Sequence, residues 1–266
     1  MKKIKIGIIG NGFVGEALTF AFSTIADVLV YDIDPDKSKD SLESVHNCDY
    51  VFICVPTPMI KTGEQDFSYV EKVFSKAKSK PIYIIKSTIL PGSTKKISEK
   101  YPDFKVIFSP EFLTERTAKL DMLTQSRIIL GGKKQIVDQV EKIFIKRFKN
   151  KNIIKTDSVT AELIKYMNNS FFATKVSIMN EFKLLSDKIG ANWDDALFGF
   201  ATDGRIGDSH LNVPGHDGKL GYGGTCFPKD VNALLNFSKR NSINLNTIEG
   251  GWKTNLMVRT EKDWEK

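Results

Sequence analysis

Cysteine is scarce, with three in 266 residues: Cys48, Cys54 and Cys226. An odd number with no CxxC spacing argues against a disulfide framework and against structural zinc, and no metal site is expected. A reducing compartment follows. No segment approaches the roughly 20 apolar residues of a membrane span. The start, MKKIKIGIIGNGF, is basic with a short apolar run. It lacks a long apolar core and a small-residue cleavage site, so it is not read as a signal peptide. The expectation is a cytoplasmic protein with no membrane partner. There is also no dense basic tract, zinc-finger or RRM signature, although the net charge is +7. The lysines are spread along the chain and read as a solvated surface rather than a nucleic-acid groove. A basic balance still favours anionic partners, phosphorylated small molecules among them.

What is present is alternation. Apolar runs at Ile4–Ile9, Val28–Tyr31, Tyr50–Val55, Ile82–Lys86, Lys105–Phe108 and Arg127–Leu130 read as buried parallel strands. Helical spacing separates several of them, at Tyr69–Lys78, Ser93–Lys100 and Gln135–Arg147. Strand and helix in turn predict an α/β fold with a doubly wound parallel sheet. Around Ile153 the pattern changes. Thr156, Asp157 and Ser158 are capping residues ahead of a helix from Thr160 to about Ile189. Its apolar residues cover much of the circumference, which predicts burial between layers or in an oligomer interface. The rest reads as helical with a glycine-rich interruption at Gly204–Gly224, and the charged tail as an exposed helix.

Gly10-Asn11-Gly12-Phe13-Val14-Gly15 matches GxGxxG. The motif is weak alone. Here a strand precedes it, a helix from Val14 follows, and a second strand ends in Asp32, 22 residues past Gly10. That is the dinucleotide-binding context. Gly10 permits the tight turn, Gly12 a close approach of pyrophosphate, and Gly15 close packing of helix on strand. The helix N-terminus supplies free N–H groups. Asp32 would accept the adenosine ribose hydroxyls and repel a 2′-phosphate, so NAD is expected over NADP.

Cys226 sits in LGYGGTCFPKD, residues 220–230. Glycines and Thr225 before it leave N–H groups exposed, and Lys229 and Asp230 follow within a turn. That is a plausible reactive setting for a thiol. Cys54 lies in a strand and Cys48 in what reads as a polar loop, and both are taken as structural. Lys165 and Asn169 share one face of the long helix. Two readings of Lys165 stand side by side: a lysine facing a polar pocket and handling protons, or one whose ammonium snorkels to solvent.

The chain resembles the UDP-glucose/GDP-mannose dehydrogenase family. The stretches that carry the resemblance are IIGNGFVG, VPTP at 55–58, STILPGST at 87–94, SPEFLTERTA at 109–118, AELIKYMNNSFFATKVSIMNE at 161–181, DGRIG at 203–207 and GYGGTCFPKD at 221–230. They span most of the chain in the family's order. The resemblance implies a Rossmann-like NAD-binding domain at 1–155 and a helical dimerisation and catalytic domain at 156–266. It implies oxidation of a nucleotide-sugar primary alcohol to the carboxylate, UDP-glucose to UDP-glucuronate first among the substrates, with GDP-mannose or UDP-N-acetylmannosamine as alternatives. Cys226 would form a thiohemiacetal and then a thioester. Lys165 and Asn169 would stabilise the oxyanion, Asp230 would orient Lys165 and a water, and Glu111 and Thr88 would assist.

By the same resemblance, Gly10, Gly12, Phe13, Val14, Gly15 and Asp32 bind NAD. Lys37, Pro56, Thr57, Thr88, Glu115 and Lys229 join them. Glu111, Phe112, Leu113, Glu115, Lys165 and Asn169 would contact the sugar nucleotide, with Tyr222 and Gly223. Arg205 would reach the neighbouring subunit's site, which implies a homodimer.

The chain reads as a short form, ending where family members continue into a further nucleotide-binding domain. The stretch LNVPGHDGKLGYGG is longer than in many relatives. His216, Asp217 and Lys219 there would cover part of the substrate, or the loop is idle surface. Two other functions stay open. A two-electron β-hydroxyacid dehydrogenase shares the Lys-x-x-x-Asn pair but not the cysteine context. A non-catalytic NAD-binding subunit is the other.

Overall fold

The apolar runs become a seven-stranded sheet in the computed structural model, which describes residues 3–265. The strands are β1 Lys5–Ile9, β2 Asp27–Tyr31, β3 Tyr50–Ile53, β4 Ile82–Ile85, β5 Lys105–Phe108, β6 Arg127–Gly132 and β7 Asn152–Thr156. Their order is β2-β1-β3-β4-β5-β6-β7. Every pairing is parallel except β5 with β6, which departs from the all-parallel expectation. Six helices belong to this layer: α1 Phe13–Phe22, α2 Leu42–Val45, α3 Ser68–Ser75, α4 Ser93–Lys100, α5 Ala118–Thr124 and α6 Lys134–Arg147. Two apolar clusters, one on each face, bury the sheet. One gathers Phe22, Phe52 and Phe144, the other Tyr83, Phe74 and Phe108. Burial on both faces is why these strands are unbroken Val/Ile runs rather than alternating ones.

Cys48 is a correction. It is fully buried in the second cluster beside Val45 and Val51, not placed in a polar loop. Burial pushes its thiol up to about 11. Cys54, past the end of β3, is pushed up to about 12 by burial.

The remaining helices are α7 Ser158–Ile189, α8 Trp193–Ala201, α9 Phe227–Arg240 and α10 Asn246–Val258. The chain forms two compact units. One is 1–57 with 66–165, and the other is 58–65 with 166–266. Helix α7 thus contributes its first turns to the first unit and the rest to the second. In the second unit, Arg240 pairs with Glu64 and the Asn236 amide donates to the Thr62 carbonyl, fastening the 58–65 segment to α9. Val231 and Leu235 of α9 pack on Ala173 of α7 and on Tyr222, with Trp252 of α10 against them.

The expected exposed tail helix stops at Val258 instead. Arg259 turns inward, and its guanidinium pairs with Asp217 at 2.8 Å and Asp263 at 2.9 Å. Lys219 pairs with Glu261. The charges of the long loop are therefore engaged with the segment after α10.

In the first unit Glu162 of α7 caps α4. Gly92, the residue before α4, has φ +93 and no capping side chain. The Glu162 carboxylate accepts the Gly92 N–H at 2.6 Å, the Thr94 N–H at 2.8 Å and the Thr94 hydroxyl at 2.6 Å. Glu162→Gln turns an amide NH2 toward these donors and leaves at least one unmatched. The expected cost is about 1–3 kcal/mol. It should appear as a lower urea midpoint with an unchanged slope. An unchanged midpoint would show that the cap contributes nothing.

Candidate active site

The first unit builds a dinucleotide cradle at the carboxyl ends of β1 and β3, where the strand order reverses. Open α/β sheets bind ligands at such a point. Gly10 has φ +96, and a Cβ there would lie 2.6 Å from the Cys54 carbonyl oxygen. A Cβ on Gly15 would lie 2.0 Å from the Gly10 oxygen, so α1 packs as closely as the backbone allows. A Cβ on Gly12 would meet nothing within 4 Å, so the space before the α1 N-terminus is open. The residues fit a pyrophosphate. Phe13 and Val14 open α1 and are half-buried.

Asp32 ends the second strand's path as expected. Its carboxylate accepts the Asn11 N–H at 2.6 Å and the Asp34 N–H at 2.9 Å. Each oxygen keeps a lone pair for a ribose hydroxyl. Lys37 is exposed and pairs with Asp34. Beyond β3, Pro56 is exposed and Thr57 is buried, its hydroxyl donating to the carbonyl of buried Thr88 at 2.9 Å. Glu115 is exposed in a single 3-10 turn, Glu115–Thr117.

A charge cluster lies after β5. Lys165 is buried, not snorkelling: its side chain is 6% exposed and that of Glu111 10%. The Lys165 ammonium donates to the Glu111 carbonyl at 2.6 Å and to its carboxylate at 2.9 Å. The Leu113 N–H donates to the other carboxylate oxygen at 2.7 Å. Burial by itself raises the Glu111 carboxyl. The Lys165 ammonium, the Leu113 N–H and the Lys86 charge outweigh it and hold the group below the usual range. The Phe112 ring lies 5.4 Å from the Lys165 ammonium and 4.6 Å from the Arg127 guanidinium.

A second cluster lies in the second unit. Cys226 is exposed and caps the N-terminus of α9. Pro228 lies in the first turn of that helix, where its missing N–H costs nothing. One turn on, Asp230 is 1% exposed. It accepts from the Asn169 amide at 2.6 Å and pairs with Lys229 at 2.5 Å. Asn169 is thus oriented, its amide donating to a carboxylate. Gly223 precedes the cysteine, and a Cβ there would lie 2.3 Å from the Arg259 guanidinium. The Tyr222 ring packs in the core beside Phe227 and Trp252, and its backbone is held by both sides of the Asn255 amide. Arg205 is exposed and paired with Asp203 at 2.5 Å.

Sequence reading did not single out Lys86, the buried lysine closing the IYIIK run. A lysine ending an otherwise apolar strand was the available signal. Burial pushes it down to about 8.

Residues 37–149 match the NAD binding domain of the UDP-glucose/GDP-mannose dehydrogenase family, and residues 159–256 match that family's central domain. A UDP-glucose 6-dehydrogenase of Rickettsia bellii is 39% identical over 80% of this chain and 50% of its own length. One from Campylobacter jejuni is 34% identical over 87% of this chain and 67% of its own. The chain therefore spans about half the length of the Rickettsia relatives it matches. Among solved structures, a UDP-D-ManNAc dehydrogenase of Pyrococcus horikoshii superposes with a TM-score of 0.84 at 25% identity, covering 96% of this chain and 69% of that one. A Pyrobaculum islandicum UDP-glucose dehydrogenase shares the fold, with a TM-score of 0.86 at 24% identity, over 96% and 68% of the two chains. With both family domains matched in order, and a relative 34% identical over 67% of its own length, the chain belongs to the UDP-glucose/GDP-mannose dehydrogenase family.

Proposed function

We propose that this protein oxidises the primary alcohol of a nucleotide sugar to the carboxylate, with NAD as oxidant and Cys226 as the covalent catalyst. The observation that carries this reading is the setting of Cys226. It is exposed at a helix N-terminus, one turn ahead of the buried Asp230, which is bonded to Asn169 and Lys229. A helix N-terminus favours negative charge on a thiol placed there. UDP-glucose is the first substrate to test, because the relatives of Rickettsia and Campylobacter are UDP-glucose 6-dehydrogenases.

NAD, when bound, accepts a hydride in each of two oxidations. Residues 1–155 hold it, with Gly10, Gly12 and Gly15 at the pyrophosphate and Asp32 at the ribose. Phe13, Val14, Lys37, Pro56 and Thr57 line its path, and Thr88, Glu115 and Lys229 complete it.

Residues 156–266 carry most of the acid–base and covalent chemistry. The alcohol loses a proton as it becomes an aldehyde. The Cys226 thiolate adds to the aldehyde carbon, and the oxygen takes a proton to give a thiohemiacetal. Loss of a second hydride and that proton leaves a thioester. Water then cleaves the C–S bond, releasing the carboxylic acid and the thiol. Lys165 and Asn169 supply N–H donors to the oxygen as charge develops. Glu111 and Asp230 hold those donors in place, and Glu111, with Thr88, assists the water. Phe112, Leu113, Glu115, Tyr222 and Gly223 bound the sugar nucleotide.

A homodimer completes the reading. Met167, Phe171, Phe182, Leu185 and Ile189 lie along α7 with large exposed fractions, 65% for Phe171. They continue into a groove with Trp193, Leu197 and Phe200 of α8. A row this apolar and this exposed calls for a second copy. Arg205 would then serve the partner's sugar.

The test is a panel of UDP-glucose, GDP-mannose and UDP-N-acetylmannosamine with NAD, counting NADH. Two NADH per sugar are expected for the true substrate. One per sugar would support a two-electron dehydrogenase. No turnover with any sugar would leave a non-catalytic subunit.

A further inference from the structure

Lys86 is a buried ionisable group that the proposed chemistry leaves unused. It follows β4 directly, between the ends of β3 and β5. Its backbone N–H donates to the Ile53 carbonyl at 2.8 Å. It is 5% exposed. Its ammonium donates to the Pro110 carbonyl at 2.9 Å and to the Ser109 hydroxyl at 3.3 Å. Ser109 is fully buried, and its N–H donates to the Ile85 carbonyl at 2.9 Å. Lys86 thus grips the turn immediately before Glu111.

That grip has a consequence for Lys165. The Lys165 ammonium takes two acceptors from one residue, the carbonyl and the carboxylate of Glu111. The carbonyl lies in the Glu111–Phe112 peptide, one unit past the Pro110–Glu111 peptide, so where both acceptors point depends on how the chain enters Glu111. Lys86 holds it from the Pro110 side. The titratable groups that interact with Lys86 are Glu111 after β5, Cys54 after β3 and Lys165 on α7. The Glu111 carboxylate therefore feels the charge of two buried ammonium groups. A buried lysine carries a desolvation penalty unless it is paired, and burial here pushes Lys86 down to about 8. Packing alone would be served better by methionine.

We propose that Lys86 is a positioning residue: it fixes the 109–111 turn so that Glu111 presents its carbonyl and one carboxylate oxygen to Lys165. The proposal rests on the role given to Lys165 in the preceding section.

The experiment compares the native chain with Lys86→Met and Lys86→Arg. Two readouts are used: steady-state kinetics across pH, and the titration of 13C-labelled glutamate carboxyls by NMR in the resting protein. Removing a positive charge beside a carboxylate raises its midpoint. In Lys86→Met the Glu111 midpoint should rise, and the acid limb of kcat/KM should move to higher pH with it. The kcat should fall 10- to 100-fold while both KM values change less than threefold. Lys86→Arg keeps the charge and should recover at least a tenth of kcat with the acid limb in place.

Wild-type kcat in Lys86→Met overturns the proposal. So do equal losses in both variants with the limb and the carboxyl midpoint unmoved, which would make Lys86 a packing residue. If Lys86→Met does not fold, Ser109→Ala decides. It removes one of the two acceptors and should lower kcat two- to fivefold with KM unchanged, and no change overturns the proposal. The NMR readout needs no turnover. If the native chain oxidises no nucleotide sugar, the proposed function fails while the Glu111 midpoint still judges Lys86.

Discussion

On the proposed function, Cys226→Ser should leave a protein that folds normally and oxidises a nucleotide sugar to the acid at least 10³-fold more slowly, a loss of about 4 kcal/mol of transition-state stabilisation. A serine hydroxyl is far less acidic than a thiol, so the group that adds to the aldehyde is absent at neutral pH. The site offers serine the same helix N-terminus. The other thiols cannot substitute. Burial pushes Cys48 up to about 11 and Cys54 up to about 12. Cys226 is exposed and caps its helix without a side-chain hydrogen bond to it, so stability should hold within about 0.5 kcal/mol. Full acid production at the native rate by the serine variant would end the covalent account.

Lys165→Met has a larger effect on the fold and a large one on the chemistry. It leaves the Glu111 carboxylate buried without the ammonium that lies 2.9 Å away. Breaking one side of a buried pair costs about 3–5 kcal/mol. Part of this is relieved as Glu111 takes up a proton, so the thermal midpoint should drop by about 10 °C in a chain of this size. Activity should fall on the order of 10²–10³-fold, the usual result of losing one oxyanion donor. The double variant Lys165→Met/Glu111→Gln separates the two effects. Removing both charges should restore most of the stability but none of the activity. A double variant no more stable than Lys165→Met would show that the pair contributes little to the fold.

The sheet was legible because its strands are buried on both faces and rich in Val and Ile. The β7 strand, Asn152–Thr156, was not. It lies at the sheet edge, is largely exposed, and carries Lys155. Edge strands give up apolar pattern for charge. The antiparallel direction of β6 was also hidden, since a strand buried on both faces reads the same either way. The tail was misjudged because helical spacing says nothing about Arg259, which ends α10 by turning in to Asp217 and Asp263. No local pattern could place residues 58–65 with α9, since Glu64 meets Arg240 across 176 positions of chain.

The site divides the same way. Helix periodicity alone placed Lys165 and Asn169 on one face, and glycine spacing with its flanking strands, helix and Asp32 marked the cradle. The acceptors were out of reach of that reasoning. Glu111 for Lys165 and Asp230 for Asn169 lie 54 and 61 residues away. Lys86 was overlooked because a lysine closing a strand reads as a solvated end until its burial is seen.

The most direct measurement is mass spectrometry of Cys226 peptides from protein quenched during turnover with a nucleotide sugar and NAD. A sugar-nucleotide mass bonded to that sulfur, absent without NAD and lost as acid forms, is the predicted result. Uronic acid accumulating at full rate while every Cys226 peptide stays unmodified and the residue tolerates replacement by alanine would contradict it.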